Sequence, residues 1–508
     1  MPAPSATGAP IPSLTAILNA HVAALAAMHL HEPATEEIVG TLVSGKQVGE
    51  FHAWRSGNEQ RRDEQLGIRS QRTLRVDGRL FVQNASGETR ELTGLLARRQ
   101  ATQDFIDSGA FAHHPEDVRF LERATLPDGR VVYRLQIAPP HGESYVIGLD
   151  AATWLIDEES FIEHDAPFTL TFSDYRVIDG DLIPFREVDS NGDHAYDVVS
   201  HVERVLIDTP IDPSIFAALR PIAVSISAPV TVPFREEYHL IFTTVTIAGK
   251  PFNFLIDSGS QGDVVSPSVA AALGLTPQGS LEVTGAARAA SRGVVELPDI
   301  SVGGAAMPAH LATVLDLSSI FDGATPVDGV LGYPFFAAAE VRVDPTQHTL
   351  TIAKPGTLAL DGEKIAVDTD RELPEIHASV NRVPGRFVVD TGDTQELLVY
   401  RNFVDAHPGV IQTLGSAPAT NRGVGGSTDS IAVIVDSLQI GSIGLFNRYA
   451  NVILQTTGAF ADRSDSGNIG YGSLRNFVMT FDLADRALYL QRARDFDDGR
   501  FRSVYEPQ

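Results

Sequence analysis

Two aspartates in this chain sit in matching surroundings. Around Asp257 the sequence reads PFNFLIDSGS, and around Asp390 it reads PGRFVVDTGD, an offset of 133 (390 − 257). Each aspartate closes an apolar run, Phe254-Leu255-Ile256 in the first copy and Phe387-Val388-Val389 in the second, the pattern of a buried strand. Ser258-Gly259 and Thr391-Gly392 follow, and a glycine there lets the backbone turn tightly under a carboxylate. Two carboxylates brought to about 3 Å cannot both ionise, so such a pair holds one proton and titrates as a unit. One member can then take a proton from water while the other gives one to a carbonyl oxygen, which is acid–base hydrolysis.

Asp-Ser/Thr-Gly is a weak signal by itself, since a chain of this length would carry on the order of a few tenths of a chance match. Four matches occur, the other two beginning at Asp107 and Asp465. Asp107 follows a polar stretch without a repeat partner, and Asp465 lies inside a glycine-bearing block, so both read as turn residues. The pair at 257 and 390 has more behind it. DGVLGYPFFAAAEVRVD (328–344) faces SGNIGYGSLRNFVMTFD (466–482) without a gap, at an offset of 138 (466 − 328). One unit of about 120 to 135 residues is therefore present twice, with five extra residues between the blocks of the second copy (138 − 133).

A duplicated strand–Asp-Ser/Thr-Gly turn with a later apolar-apolar-Gly strand resembles the pepsin/retropepsin clan of aspartic proteases, in the single-chain bacterial retropepsin-like form, over about residues 235–495. The resemblance implies catalytic roles for Asp257 and Asp390. It also implies that Ser258 and Thr391 cross-brace the two loops, with Gly259 and Gly392 supporting the turns. The blocks Val330-Leu331-Gly332 and Asn468-Ile469-Gly470 should pass behind them. Flaps over an extended substrate are expected in the small-residue stretches 284–294 and 421–430, with Gly285, Ala286, Gly293, Gly423, Val424, Gly425 and Gly426 as flap or substrate-binding candidates. Two departures stand out: Asp393 follows the second loop, where a small uncharged residue is commoner, and Asn468 faces the apolar Val330 of the first copy.

The elements that must carry these loops are β-rich. The chain has 508 residues, 43 Gly, 30 Pro and 4 Met, which points to many turns and short strands and to about three domains. Ahead of the duplication, Ser13 caps a helix whose apolar face holds Leu14, Ile17, Leu18 and Leu25. Strands are expected at 80–83, 131–137, 145–149, 168–172, 175–178 and 196–205, with turns at Asp77-Gly78, Asp128-Gly129, Asp179-Gly180 and Asn191-Gly192. The stretch 91–111 is helical in character. This order, with YRLQI, YVIGLD and FSDYRVIDGDLIPF, resembles the LolA/LppX-like half-barrels of bacterial envelopes over roughly residues 13–215. The expected fold is mainly β: an α+β antiparallel half-barrel followed by two homologous retropepsin-like lobes of a bilobal aspartic protease. The boundaries expected are a flexible lead-in at 1–12, the half-barrel at 13–208, a Pro-rich linker at 209–234, and lobes at 235–357 and 358–508.

Composition narrows the function classes. Lys plus Arg is 39 and Asp plus Glu is 65, for a net charge of −26, which argues against nucleic acid or anionic membrane as a partner. No apolar run is long enough to span a bilayer. Zero cysteines exclude thiolate nucleophiles and Cys-ligated metal. His29/His31 and His113-His114 lack a matching ligand set, so no metal is expected, and no organic cofactor is implied. The expectation is an aspartic endopeptidase acting on extended polypeptides, with apolar residues near the scissile bond and an acidic to mildly acidic optimum. It would be monomeric, because both aspartates lie in one chain, and periplasmic or secreted by the first domain's resemblance. The alternative is a non-catalytic envelope protein, in which the half-barrel holds a lipid or lipoprotein and the lobes hold peptide.

Overall fold

Turn chemistry and strand alternation set the architecture. The computed structural model describes residues 11–126, 129–163, 166–284, 289–318, 326–411, 417–423, 426–454 and 465–500. They fall into two compact units: the described residues up to Val82 with Glu91–Ala218, and Gln83–Arg90 with the described residues from Leu219 onward.

The first unit is built on an antiparallel 13-stranded sheet in which the opening strand, Thr35–Ser44, pairs with the closing one, Val198–Ile207. Its hairpins turn where Asp and Gly stand together. Asp77 and Gly78 have φ of 53° and 72°, and Asp179 and Gly180 have 47° and 89°, the positive values that two-residue hairpins require. The helices Leu14–Ala27 and Gly94–Asp107 supply Ile17, Leu18 and Ile106 to a core with Leu135, Ile137, Ile147 and Leu149. Ser13 accepts the Ala16 amide at 3.3 Å as the helix cap. One expectation fails here: 168–172 and 175–178 are a single strand, Ala166–Ile178. Asp174 adopts φ of 56°, and pairing resumes at once with Tyr175 opposite Pro184.

The second unit holds the duplication. In the first lobe Lys250–Ile256 runs parallel to Gly329–Leu331, and in the second Val383–Asp390 runs parallel to Gly467–Gly470. A six-stranded sheet joins the lobes through Glu340–Asp344 and Phe477–Asp482, with Arg342 opposite Thr480. These two residues are equivalent in the repeat (480 − 342 = 138), so a pseudo-two-fold axis passes between them. The same sheet corrects the linker reading. Val230–Pro233, inside the stretch expected to be linker, forms a strand against Thr349–Ala353, because Val230 and Val232 alternate and their backbone can complete the sheet edge. No described helix is long and apolar enough to cross a membrane.

Candidate active site

Phe254, Ile256, Phe387 and Val389 are fully buried, so the two strands that end in the aspartates are anchored in the core of the second unit. Each strand is held against its glycine-bearing partner. Gly332 shows why that block needs glycine, since a Cβ there would lie 2.5 Å from the Gly262 carbonyl oxygen.

The loops after these strands interlock about the pseudo-axis. The Ser258 amide donates to Thr391 Oγ1 at 2.9 Å, and the Thr391 amide donates to Ser258 Oγ at 3.1 Å. In turn Ser258 Oγ donates to the Val389 carbonyl at 2.6 Å and Thr391 Oγ1 to the Ile256 carbonyl at 2.9 Å. Both side chains are fully buried, and each bond has its repeat-related twin.

The interlock sets the carboxylates face to face. Gly259 donates its amide to Asp257 Oδ1 and Gly392 donates to Asp390 Oδ1, each at 2.9 Å. A Cβ on Gly259 would fall 2.3 Å from Asp390 Cγ, and one on Gly392 2.2 Å from Asp257 Cγ. Each glycine is therefore the surface on which the opposite carboxylate rests. Burial, then the charge of Asp390, holds Asp257 well above the ordinary carboxylate range. Burial also raises Asp390, opposed by the amide of Gly392 and by several other donors. The two thus share protons at pH values where an exposed aspartate would be ionised.

Both departures noted in the sequence lie beside the pair, joined by Tyr400, Asp263 and His310, which the sequence reading did not single out. Asn468 Nδ2 donates to Asp390 Oδ2 at 2.8 Å, and Tyr400 Oη donates to Asn468 Oδ1 at 2.6 Å. Asp393 Oδ1 accepts from the Gln395 amide at 2.9 Å, while its Oδ2 is buried without a hydrogen-bond partner. Burial and then the Asp390 charge push Asp393 up to about 7. Behind the first loop, Asp263 accepts from the Gly332 amide at 2.7 Å and meets His310 Nε2 at 2.8 Å. The apolar-to-polar change from Val330 to Asn468 and the acidic residue after the second loop were the signals visible in the sequence.

The flap candidates fall partly within hairpins. Gly293 lies in Ala289–Leu297, paired with Gln278–Thr284, while Gly285 and Ala286 lie outside the described residues. Gly423 pairs with Gly426 at the tip of a second hairpin, and Val424 and Gly425 between them are likewise outside the described residues. Two further readings change. Asp107 is the last residue of a helix rather than a turn. Asp465 is buried and ion-paired with Arg371 and Arg386 beside Glu375, a role that only packing of distant segments creates. His114, Glu116 and Asp117 do bring possible ligand atoms within 4.8 Å, although His114 and Glu116 are exposed.

Known proteins resemble each part of the chain. The aspartyl protease family model matches residues 243–335, which contain the first aspartate loop and its glycine-bearing block. No curated protein matches the chain. Among solved structures, an aspartic proteinase from Irpex lacteus is 15% identical, covering 53% of this chain and 98% of its own, with a TM-score of 0.37. A LolA superfamily protein from Nitrosomonas europaea is 15% identical over 41% of this chain and 99% of its own, at 0.27. A DUF1329 family protein from Desulfovibrio piger is 14% identical over 41% of this chain and 100% of its own, at 0.30.

Proposed function

We propose that the second unit is an aspartic endopeptidase in which Asp257 and Asp390 activate water between them. The observation that carries this reading is the reciprocal bonding of Ser258 and Thr391, which presents two carboxylates symmetrically with one glycine under each. Rigid placement of this kind lets the pair act on water and carbonyl together without reorganising at the moment of reaction. The family match over 243–335 supports the same chemistry. The substrate is an extended polypeptide whose backbone pairs with the two hairpins, Gln278–Thr284 with Ala289–Leu297 and Ala417–Gly423 with Gly426–Ile440. Apolar side chains are preferred at the scissile bond, and the optimum is acidic to mildly acidic because the pair must keep one proton. A periplasmic or secreted location and a monomeric state complete the reading.

The test is cleavage of a mixed peptide library between roughly pH 3 and pH 8, comparing wild type with Asp257→Asn and Asp390→Asn. Cleavage that survives in both variants would place the chemistry elsewhere. A second reading, a non-catalytic binder of peptide, lipid or lipoprotein, draws on the partnerless Asp393 Oδ2 beside the pair, which could hold a basic group instead of water. It predicts no cleavage by folded wild type together with co-purified ligand.

A further inference from the structure

The two halves of the site are related by the pseudo-axis, but the hydrogen bonds to their carboxylates are not. Asn468 and Val330 are equivalent in the repeat (468 − 330 = 138). Val330 is buried among Leu240, Phe242, Leu255 and Leu317 and offers no donor. Asn468 is 5% exposed, and its backbone is paired on both sides, with Val388 in one strand and Leu398 in another. The Tyr400 hydroxyl donates to Oδ1 and so directs Nδ2 at Asp390; turning the amide over would make Tyr400 accept instead and would set Oδ1 against the Asp390 carboxylate, losing that bond. The tyrosine also lacks a counterpart, because the strand register puts Ser266 at its place (400 − 266 = 134), and that hydroxyl accepts the Val269 amide as a helix cap.

We infer that Asn468, oriented by Tyr400, is a positioning residue that holds the negative charge of the pair on Asp390 and leaves the shared proton on Asp257. An N–H directed at a carboxylate oxygen favours its ionised form, and only one of the two carboxylates has this amide. The inference rests on the aspartic peptidase reading and assigns roles within it. Asp390 takes a proton from water as the water oxygen bonds to the carbonyl carbon. The carbonyl π pair moves to its oxygen, which takes the proton from Asp257. In collapse, the C–N bond breaks as nitrogen takes the proton from Asp390, and one hydroxyl of the tetrahedral carbon returns a proton to Asp257. Both groups end as they began.

The other titratable groups around the pair are Asp393 on the same loop and Tyr400 behind Asn468. His239 also approaches, its Nδ1 lying 3.4 Å from the Thr394 carbonyl. Asp393 raises Asp257 by its charge, which likewise favours a proton on Asp257.

The test is ¹³C NMR titration of aspartate γ-carbons in the full chain, with Asp257→Asn and Asp390→Asn assigning the two signals. The wild type is expected to lose its first proton at Asp390 and its second at Asp257. Asn468→Val should raise the first step by about one pH unit, a tenfold change in proton affinity. Tyr400→Phe, which keeps the ring and the packing, should raise it by less. The acid limb of the cleavage profile should move by the same amount, with kcat affected more than KM. Wild-type signals that titrate together, a first step at Asp257, or a first step unmoved in the folded variants would overturn the inference. Should Asn468→Val not fold, Tyr400→Phe decides. Ordered titration in a protein that cleaves no peptide at any pH would remove the peptidase reading and leave the proton placement standing.

Discussion

Asp263 Oδ2 lies 2.8 Å from His310 Nε2, both side chains fully buried, and in the second lobe Arg448, the repeat counterpart of His310 (448 − 310 = 138), is ion-paired with Glu396. Each lobe thus carries an acid–base pair behind its aspartate loop, but only in the first does the base lose its charge near neutral pH, because arginine keeps its charge. His310 Nδ1 also lies 2.8 Å from the Pro308 carbonyl, so both ring nitrogens face acceptors and the ring is held as a cation. Burial opposes that charge, yet the hydrogen bond and charge of Asp263 outweigh it, and the His310 pKa is raised. A histidine raised on folding contributes stability that is fully present below its unfolded value of about 6.5 and is lost as pH rises through the folded value. His310→Gln is expected to destabilise by about 3–5 kcal/mol at acidic pH, since it strands a buried carboxylate. Denaturant titrations should show the gap from wild type narrowing as pH increases above neutrality. A gap constant with pH would show that the ring is neutral in the native state.

Asp257→Asn and Asp390→Asn should each lower kcat by at least about 10²- to 10⁴-fold, the range for a lost acid or base. Neither should lose stability, because each removes a carboxylate that burial holds in an unfavourable state. Thermal unfolding beside single-turnover cleavage checks both halves of this expectation.

Ser258→Ala leaves the Thr391 amide without its acceptor, and Thr391→Val does the same to the Ser258 amide. Each should destabilise by about 1–3 kcal/mol, the cost of a buried unsatisfied group. Their effects should not add, because the four bonds form one network. Thr391→Ser restores the hydroxyl and should recover most of the loss, which a double-mutant cycle by chemical denaturation would reveal.

Asp393 is raised to about 7 by burial and then by Asp390. A carboxylate raised on folding costs stability as pH climbs from its unfolded value, about 3.9, toward its folded one. Asp393→Asn should therefore gain stability over wild type at pH 7 but not near pH 4. Removing its charge also lowers the pKa of Asp257, so the alkaline limb of cleavage should move to lower pH by about a unit. An alkaline limb that stays in place would mean the Asp393 charge is not felt by the pair.

Adding a methyl at Gly259 or Gly392 would place it 2.3 Å or 2.2 Å from the opposite carboxylate carbon. Gly259→Ala and Gly392→Ala should each abolish cleavage by pushing the carboxylates apart, and far-ultraviolet circular dichroism should still report the wild-type β content.

Local pattern was enough for a good part of this protein. Apolar runs into Asp257 and Asp390, glycine-bearing blocks at constant offset, and Asp-Gly turns are each written in a few consecutive residues. Their physics is local too, in strand alternation, the need for positive φ, and room for a close backbone approach. The tertiary structure decided what lies beside the carboxylates. Asn468 reaches Asp390 across 78 residues and His310 reaches Asp263 across 47. Asp465, one of four similar tripeptides by sequence, becomes a buried partner of Arg371 and Arg386. The short strand Val230–Pro233 exists because Thr349–Ala353 offers it a partner. These relationships depend on how distant strands stack and which side chains then share a low-dielectric space. No period or motif in one stretch of chain records that, because the energy of each contact belongs to the pair and not to either residue alone.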